Sequence, residues 1–198
     1  MVLRLRVFRL FMVLFLAGLN AAGFGPRPVY GAEVKGMTVS RQDNTYHVTF
    51  DAIIDAPAPK VYRLLSDYGH LDRFSPVIIA ITVHPTPQGT GPRVRSVLKH
   101  CFLVFCKEVV EVEEVTQSNE QTIAARIVPG EGDFHDGYSL WRIEGVGPRT
   151  RLHYEATRTP SFWIPRLLGS WMIKATMRKH LESSVTRLEH VINENAGV

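Results

Sequence analysis

Between residues 77 and 158 the chain reads as six strands in succession with no room between them for a helix. The segments 77–84, 92–101, 106–116, 120–128, 134–146 and 149–158 are rich in β-branched and aromatic residues. Their connections carry turn chemistry: Pro87-Gln-Gly-Thr-Gly-Pro92, Ser118-Asn119, Pro129-Gly130 and Gly145–Pro148. Strands joined by such short links pair antiparallel, because a parallel return needs a crossover of about a dozen residues or more. The last strand alternates cleanly, with Leu152, Tyr154 and Ala156 opposite Arg151, His153 and Glu155. One more strand lies upstream, where Tyr46, Val48, Phe50, Ala52 and Ile54 alternate with His47, Thr49 and Asp51.

Helices bracket this run. Asp55-Ala-Pro-Ala-Pro59 ends the upstream strand and starts a helix, since proline is tolerated in a first helical turn. Val61, Leu64, Leu65 and Tyr68 give that helix one apolar face, and a second short turn at Leu71–Phe74 stops at Pro76. A long helix closes the chain from about Pro165 to Asn193, with a core stripe at Met177, Leu181, Val185, Leu188 and Ile192. The order predicts an α+β fold. A curved antiparallel sheet of about six to seven strands wraps the C-terminal helix, with two short helices after the first strand. The expected inward sets are Tyr46, Val48 and Phe50; Trp141 and Ile143; Leu152 and Tyr154.

The first 31 residues differ from the rest. Arg4, Arg6 and Arg9 precede the apolar run Leu10–Leu19, which leads into small residues at 20–23 and a Gly/Pro segment. That order is read as a secretory signal peptide, with cleavage after about residue 23 or 31, and the run is short of the roughly 20 residues of a membrane span. Residues 32–198 are then one exported, periplasmic domain. The formal net charge of +4 belongs to the leader, because four arginines and no acidic residue precede residue 32. A neutral remainder has no electrostatic case for binding nucleic acid.

The stretch Asp55-Ala-Pro-Ala-Pro-Lys-Val-Tyr-Arg-Leu-Leu-Ser-Asp67-Tyr68-Gly-His-Leu-Asp-Arg-Phe74-Ser-Pro76, and the order of elements over residues 45 to 193, resemble a known superfamily. It is the helix-grip (START-like, SRPBCC) superfamily, which includes START lipid-transfer domains, polyketide cyclases and coenzyme Q-binding proteins. The resemblance is to the polyketide cyclase and coenzyme Q-binding branch. It implies a cavity between sheet and long helix that takes a hydrophobic small molecule or lipid such as an isoprenoid quinone. The chain is expected to act as a monomer. The residues expected at that cavity are Phe50, Leu64, Phe74, Arg95, Trp141, Tyr154, Leu168, Trp171 and Met172. Among the arginines at 93, 95, 142, 149 and 151, Arg95 or Arg142 is expected to turn inward as a polar anchor.

Cys101 and Cys106 flank Phe102-Leu-Val-Phe105. Along one extended strand they would lie about 16 Å apart, far beyond disulfide reach. If the chain turns at 102–105 they face each other across a hairpin, and an oxidising compartment then favours a bridge. The tip of that hairpin, Phe102, Leu103, Val104 and Phe105, would cover the cavity mouth or touch a membrane, together with Phe162 and Trp163. The segment 161–173 is apolar nearly all round, which suits simple packing under loops as well as a lipid contact.

No catalytic residue is assigned. The sequence holds no nucleophile elbow, phosphate-binding loop or dinucleotide fingerprint. Asp133-Phe-His135-Asp136 lacks a second histidine at metal-ligand spacing, so neither metal nor cofactor is expected. A cyclase or aromatase acting through positioned polar side chains, and a module docking on an envelope protein through residues 161–173, stand as alternatives to a binding protein.

Overall fold

The computed structural model describes residues 31–86, 91–102, 105–164 and 170–194. Eight strands form its sheet: β1 (Glu33–Gln42), β2 (Thr45–Ile54), β3 (Ile78–His84), β4 (Arg93–Phe102), β5 (Phe105–Asn119), β6 (Thr122–Ile127), β7 (Phe134–Val146) and β8 (Arg149–Pro160). The order across the sheet is β1-β2-β8-β7-β6-β5-β4-β3, with every neighbouring pair antiparallel. Strands β3 to β8 are thus a simple meander, and the β1–β2 hairpin docks on its last strand.

The sheet exceeds the expected six to seven strands because β1 carries little strand signal. Its EVKGMTVSRQ sequence includes Lys35, Gly36 and Arg41, and of its ten residues only Met37 is fully buried. Tertiary pairing with β2, not local propensity, holds it in place. The two short helical segments consequently follow the second strand. They are α1 (Ala58–Leu65) and a 3-10 segment, Tyr68–Arg73. Pro57 caps α1, and Val61, Leu64 and Leu65 turn inward. The long helix α2 is described over Ser170–Glu194; the expected start near Pro165 falls outside the described residues.

Helix α2 is packed unevenly along its length. Val185, Leu188, Val191 and Ile192 are buried in a core with Phe50, Ile54, Val61, Ile143 and Leu152. Toward its N-terminal half, Met177, His180 and Leu181 are only half-buried. Glu189 ties this packed end together, its carboxylate accepting from the Ala32 amide at 2.9 Å and the Asp55 amide at 2.8 Å.

Candidate ligand-binding site

Residues directly opposed across an antiparallel pair point to the same side, so the register defines the face that looks toward α2. One inner row runs Met37, Phe50, Tyr154, Trp141, Ile123 and Gln117. The next contains Val48, Ala156, Ser139, Ala125 and Val115, mostly small side chains. A third carries Tyr46, Arg158 and Gly137, and on its far side Ile127, Glu113 and Val94. Beyond Glu113, the inner positions of β5 and β4 are Glu111 with Ser96, Val109 with Leu98, and Lys107 with His100.

The inner face is therefore graded. Near α1 it is a closed apolar core. Farther along, Trp141 and Tyr154 stack at 4.1 Å between ring centroids and are only half-buried, as are Ile81 and Leu98. Past them lies a cluster of three charges. Arg158 donates through Nε to Glu111, through Nη2 to Glu113 at 2.6 Å, and through Nη1 to the carbonyls of Tyr138 and Thr157, both at 2.9 Å. The Ser139 hydroxyl donates to Glu113 at 3.2 Å. Small residues make room for this arrangement. A Cβ on Gly137 would sit 2.7 Å from Ile127 Cγ1, 2.8 Å from the Thr157 carbonyl oxygen and 3.0 Å from Arg158 Cδ.

One guanidinium faces two carboxylates here, and the surplus negative charge shows in the titration of the group. Burial first, and then repulsion from Glu111, pushes the Glu113 carboxyl up to about 7, against the opposing pull of Arg158 and Ser139. Tyr154 is raised by burial and Arg158 is held firmly charged by its two carboxylates despite burial. His100 on β4 and His180 on α2 bring their rings to 5.8 Å, and burial lowers both below the usual histidine range. Arg158, Glu111 and Glu113 keep 16%, 13% and 21% of their side-chain surface open, so the cluster is largely but not completely covered. The wall thus offers aromatic and aliphatic surface next to carboxylate, hydroxyl and imidazole groups.

The sequence-predicted residues distribute unevenly over this site. Trp141 and Tyr154 lie on its wall. Phe50, Leu64 and Phe74 are buried members of the packed core beside it. Arg95 is a correction: it alternates with the buried Val94 and Ser96 and lies exposed on the outer face. Arg142 is likewise exposed and pairs with Glu155 at 3.2 Å. The inward arginine is Arg158, in phase with Leu152, Tyr154 and Ala156 of its own strand; that phase was the available signal. Leu168 falls outside the described residues, as do the side chains of Trp171 and Met172 at the start of α2.

Cys101 and Cys106 are directly opposed across the β4–β5 hairpin and joined by a disulfide, with Cα atoms 4.0 Å apart. Phe102 and Phe105 pair next to them; their side chains, and Leu103 and Val104 altogether, lie outside the described residues. Phe162 packs edge-on against Phe134 at 6.4 Å and takes the Lys107 ammonium over its ring at 3.8 Å. Trp163 beside it is 78% exposed. The Asp133 carboxylate accepts from the Val110 amide at 2.7 Å, a structural role that bridges strand and loop.

An antiparallel sheet with its inner face turned to a C-terminal helix, partly filled and partly polar, defines a START-like, helix-grip protein. Residues 45–192 match the family described as polyketide cyclase / dehydrase and lipid transport, and the chain belongs to that family. No curated protein sequence matches it significantly. Among solved structures it is similar to TTHA0849 from Thermus thermophilus, with 23% identity and a TM-score of 0.60, covering 75% of this chain and 98% of that one. A START superfamily protein from Mycobacterium smegmatis is similar at 18% identity and a TM-score of 0.59, covering 75% and 97%. The Zhui aromatase/cyclase from a Streptomyces species follows at 15% identity and 0.56, covering 77% and 96%. At these identities the likeness is one of fold, and fold does not fix function.

Proposed function

We propose that the protein is an exported carrier or sensor that holds a hydrophobic ligand, an isoprenoid quinone or a lipid chain, between the inner sheet face and the N-terminal half of α2. The observation that carries this reading is the graded inner face. Large apolar side chains stay half-buried where α2 is loosely packed, while the opposite end of the same core is closed. Binding would be driven by desolvation, about 0.8 kcal/mol for each methylene taken from water. The Trp163 indole and the disulfide-closed hairpin support a transient membrane contact during loading. Removal of a leader after Gly31 would leave the new ammonium of Ala32 on the Glu189 carboxylate, 2.9 Å away. The carrier would act as a monomer.

The test is solvent extraction of protein purified from the periplasm, with mass spectrometry of what is released and sequencing of the N-terminus. A stoichiometric apolar compound and a chain beginning at Ala32 are expected. Folded, oxidised protein that yields nothing would count against the carrier. A second reading, a cyclase-type enzyme, is favoured by one feature: Glu113 titrates near neutrality beside Tyr154 and Arg158, where it could move a proton to or from a bound substrate. Turnover lost on Glu113→Gln with binding retained would establish it.

A further inference from the structure

The polar end of the wall restricts what headgroup the site can take, provided the chain is the carrier argued above. Arg158 has little left to give. Four of its five N–H groups are engaged by Glu111, Glu113 and two backbone carbonyls. The other nearby guanidinium, Arg41, is also committed, donating to the carbonyls of Asp43 and Ile164 and lying 5.2 Å over the Tyr46 ring. Acceptors, in contrast, are in excess. One oxygen each of Glu111 and Glu113 meets Arg158, and the second oxygen of each has no hydrogen-bond partner among the described residues. The Tyr154 hydroxyl, which can accept as well as donate, has none either, and it lies in the field of Arg158 and of both carboxylates.

We propose that Glu111, Glu113 and Tyr154 form a headgroup site for an apolar ligand that ends in a hydrogen-bond donor, a hydroxyl or an amine. The same site excludes ligands that end in a carboxylate or phosphate. A donor completes the empty acceptor positions and, if cationic, balances the surplus carboxylate. An anion would be desolvated against two like charges whose common partner is already occupied, and juxtaposed like charges are strongly unfavourable.

The purified protein is loaded with the neutral fluorophore N-phenyl-1-naphthylamine and titrated at pH 8 with 1-dodecanol, dodecylamine and dodecanoate, each below its aggregation concentration. The alcohol and the amine should displace the fluorophore at concentrations at least about tenfold lower than the acid. Dodecanoate that competes as well or better overturns the headgroup assignment and leaves the carrier intact. A fluorophore that never binds, with no ligand detected by calorimetry, overturns the carrier reading and the headgroup site with it. In the Glu111→Gln/Glu113→Gln variant Arg158 loses both carboxylates, and dodecanoate should gain about tenfold relative to dodecanol. An unchanged ratio in the folded variant refutes the assignment, and the wild-type series decides the matter if that variant does not fold.

Discussion

Replacing Glu113 with Gln should remove a loss of stability that sets in as pH rises toward neutrality. Burial and the neighbouring Glu111 raise this carboxyl from 4.5 to about 7 in the folded protein, while Arg158 and Ser139 pull the other way. The folded state therefore holds a proton that the unfolded chain has already released. For an acid shifted upward the sign is fixed: its contribution is fully present below pH 4.5 and disappears as pH rises through about 7. At about 1.4 kcal/mol for each tenfold change in proton affinity, the ionised carboxylate costs the native state about 3 kcal/mol. Urea unfolding of wild type and Glu113→Gln at pH 4.5 and pH 8 measures it. The difference between the two proteins cancels the titration of His100, His180 and every exposed group. Wild type should fall relative to the variant by about 3 kcal/mol between those pH values. Parallel pH profiles, or a wild type that gains on the variant as pH rises, would refute the picture of one guanidinium shared by two buried carboxylates.

Burial, and for His180 also the nearby His100 and Lys179, lowers both histidines and so favours their neutral form in the folded protein, a contribution present above about pH 6.5 and lost as pH falls below it. His100→Gln/His180→Gln should flatten the stability profile between pH 5 and 6.5, read from urea midpoints. Gly137→Ala places a Cβ 2.8 Å from the Thr157 carbonyl oxygen and should cost about 1–3 kcal/mol in thermal or urea unfolding, while displacing Arg158. Reducing Cys101–Cys106, which closes a loop of only a few residues, should lower stability by about 2 kcal/mol by the loop-entropy relation, checked in urea with and without dithiothreitol. Trp163→Ser, at a 78% exposed position, should weaken partition onto lipid vesicles and leave the unfolding free energy within about 0.5 kcal/mol of wild type.

The strands that could be read from sequence are those whose faces differ in polarity. In β2 and β8 the inner Val48, Phe50, Leu152 and Tyr154 alternate with polar outer residues, and both the strands and the inward set emerge directly. Strand β5 reads in the opposite sense. Its run Val109-Val110-Glu111-Val112-Glu113-Glu114-Val115 suggests valines inside and glutamates outside. The register instead turns Glu111 and Glu113 inward and Val112 to the opposite face, where it is nevertheless buried. No periodicity argument recovers this, because the glutamates are accommodated by an arginine 45 and 47 residues away in sequence, and Glu113 by Ser139 as well. The same applies to Glu189, whose two amide partners lie next to β1 and at the end of β2. The family resemblance gave the sheet and its C-terminal helix, whereas Arg95 lies on the outer face and the strand phase of β8 selects Arg158.

A purely structural account leaves the charged cluster unexplained. Taking Arg158, Glu111 and Glu113 out of water is costly, and replacing a buried ion pair by apolar residues of similar volume is often neutral or stabilising. Stability alone is already served by the closed end of the core, where Ile54, Val61, Ile143 and Leu152 are almost completely buried. The cluster, moreover, lies past the half-buried Trp141 and Tyr154, its glutamates on the strand that pairs with that of His100, which meets His180 of α2. Charges placed there do little for the core but present oriented acceptors to whatever occupies the adjoining space. An apolar wall that ends in surplus carboxylate separates ligands by their last polar atom, which an apolar surface by itself cannot do.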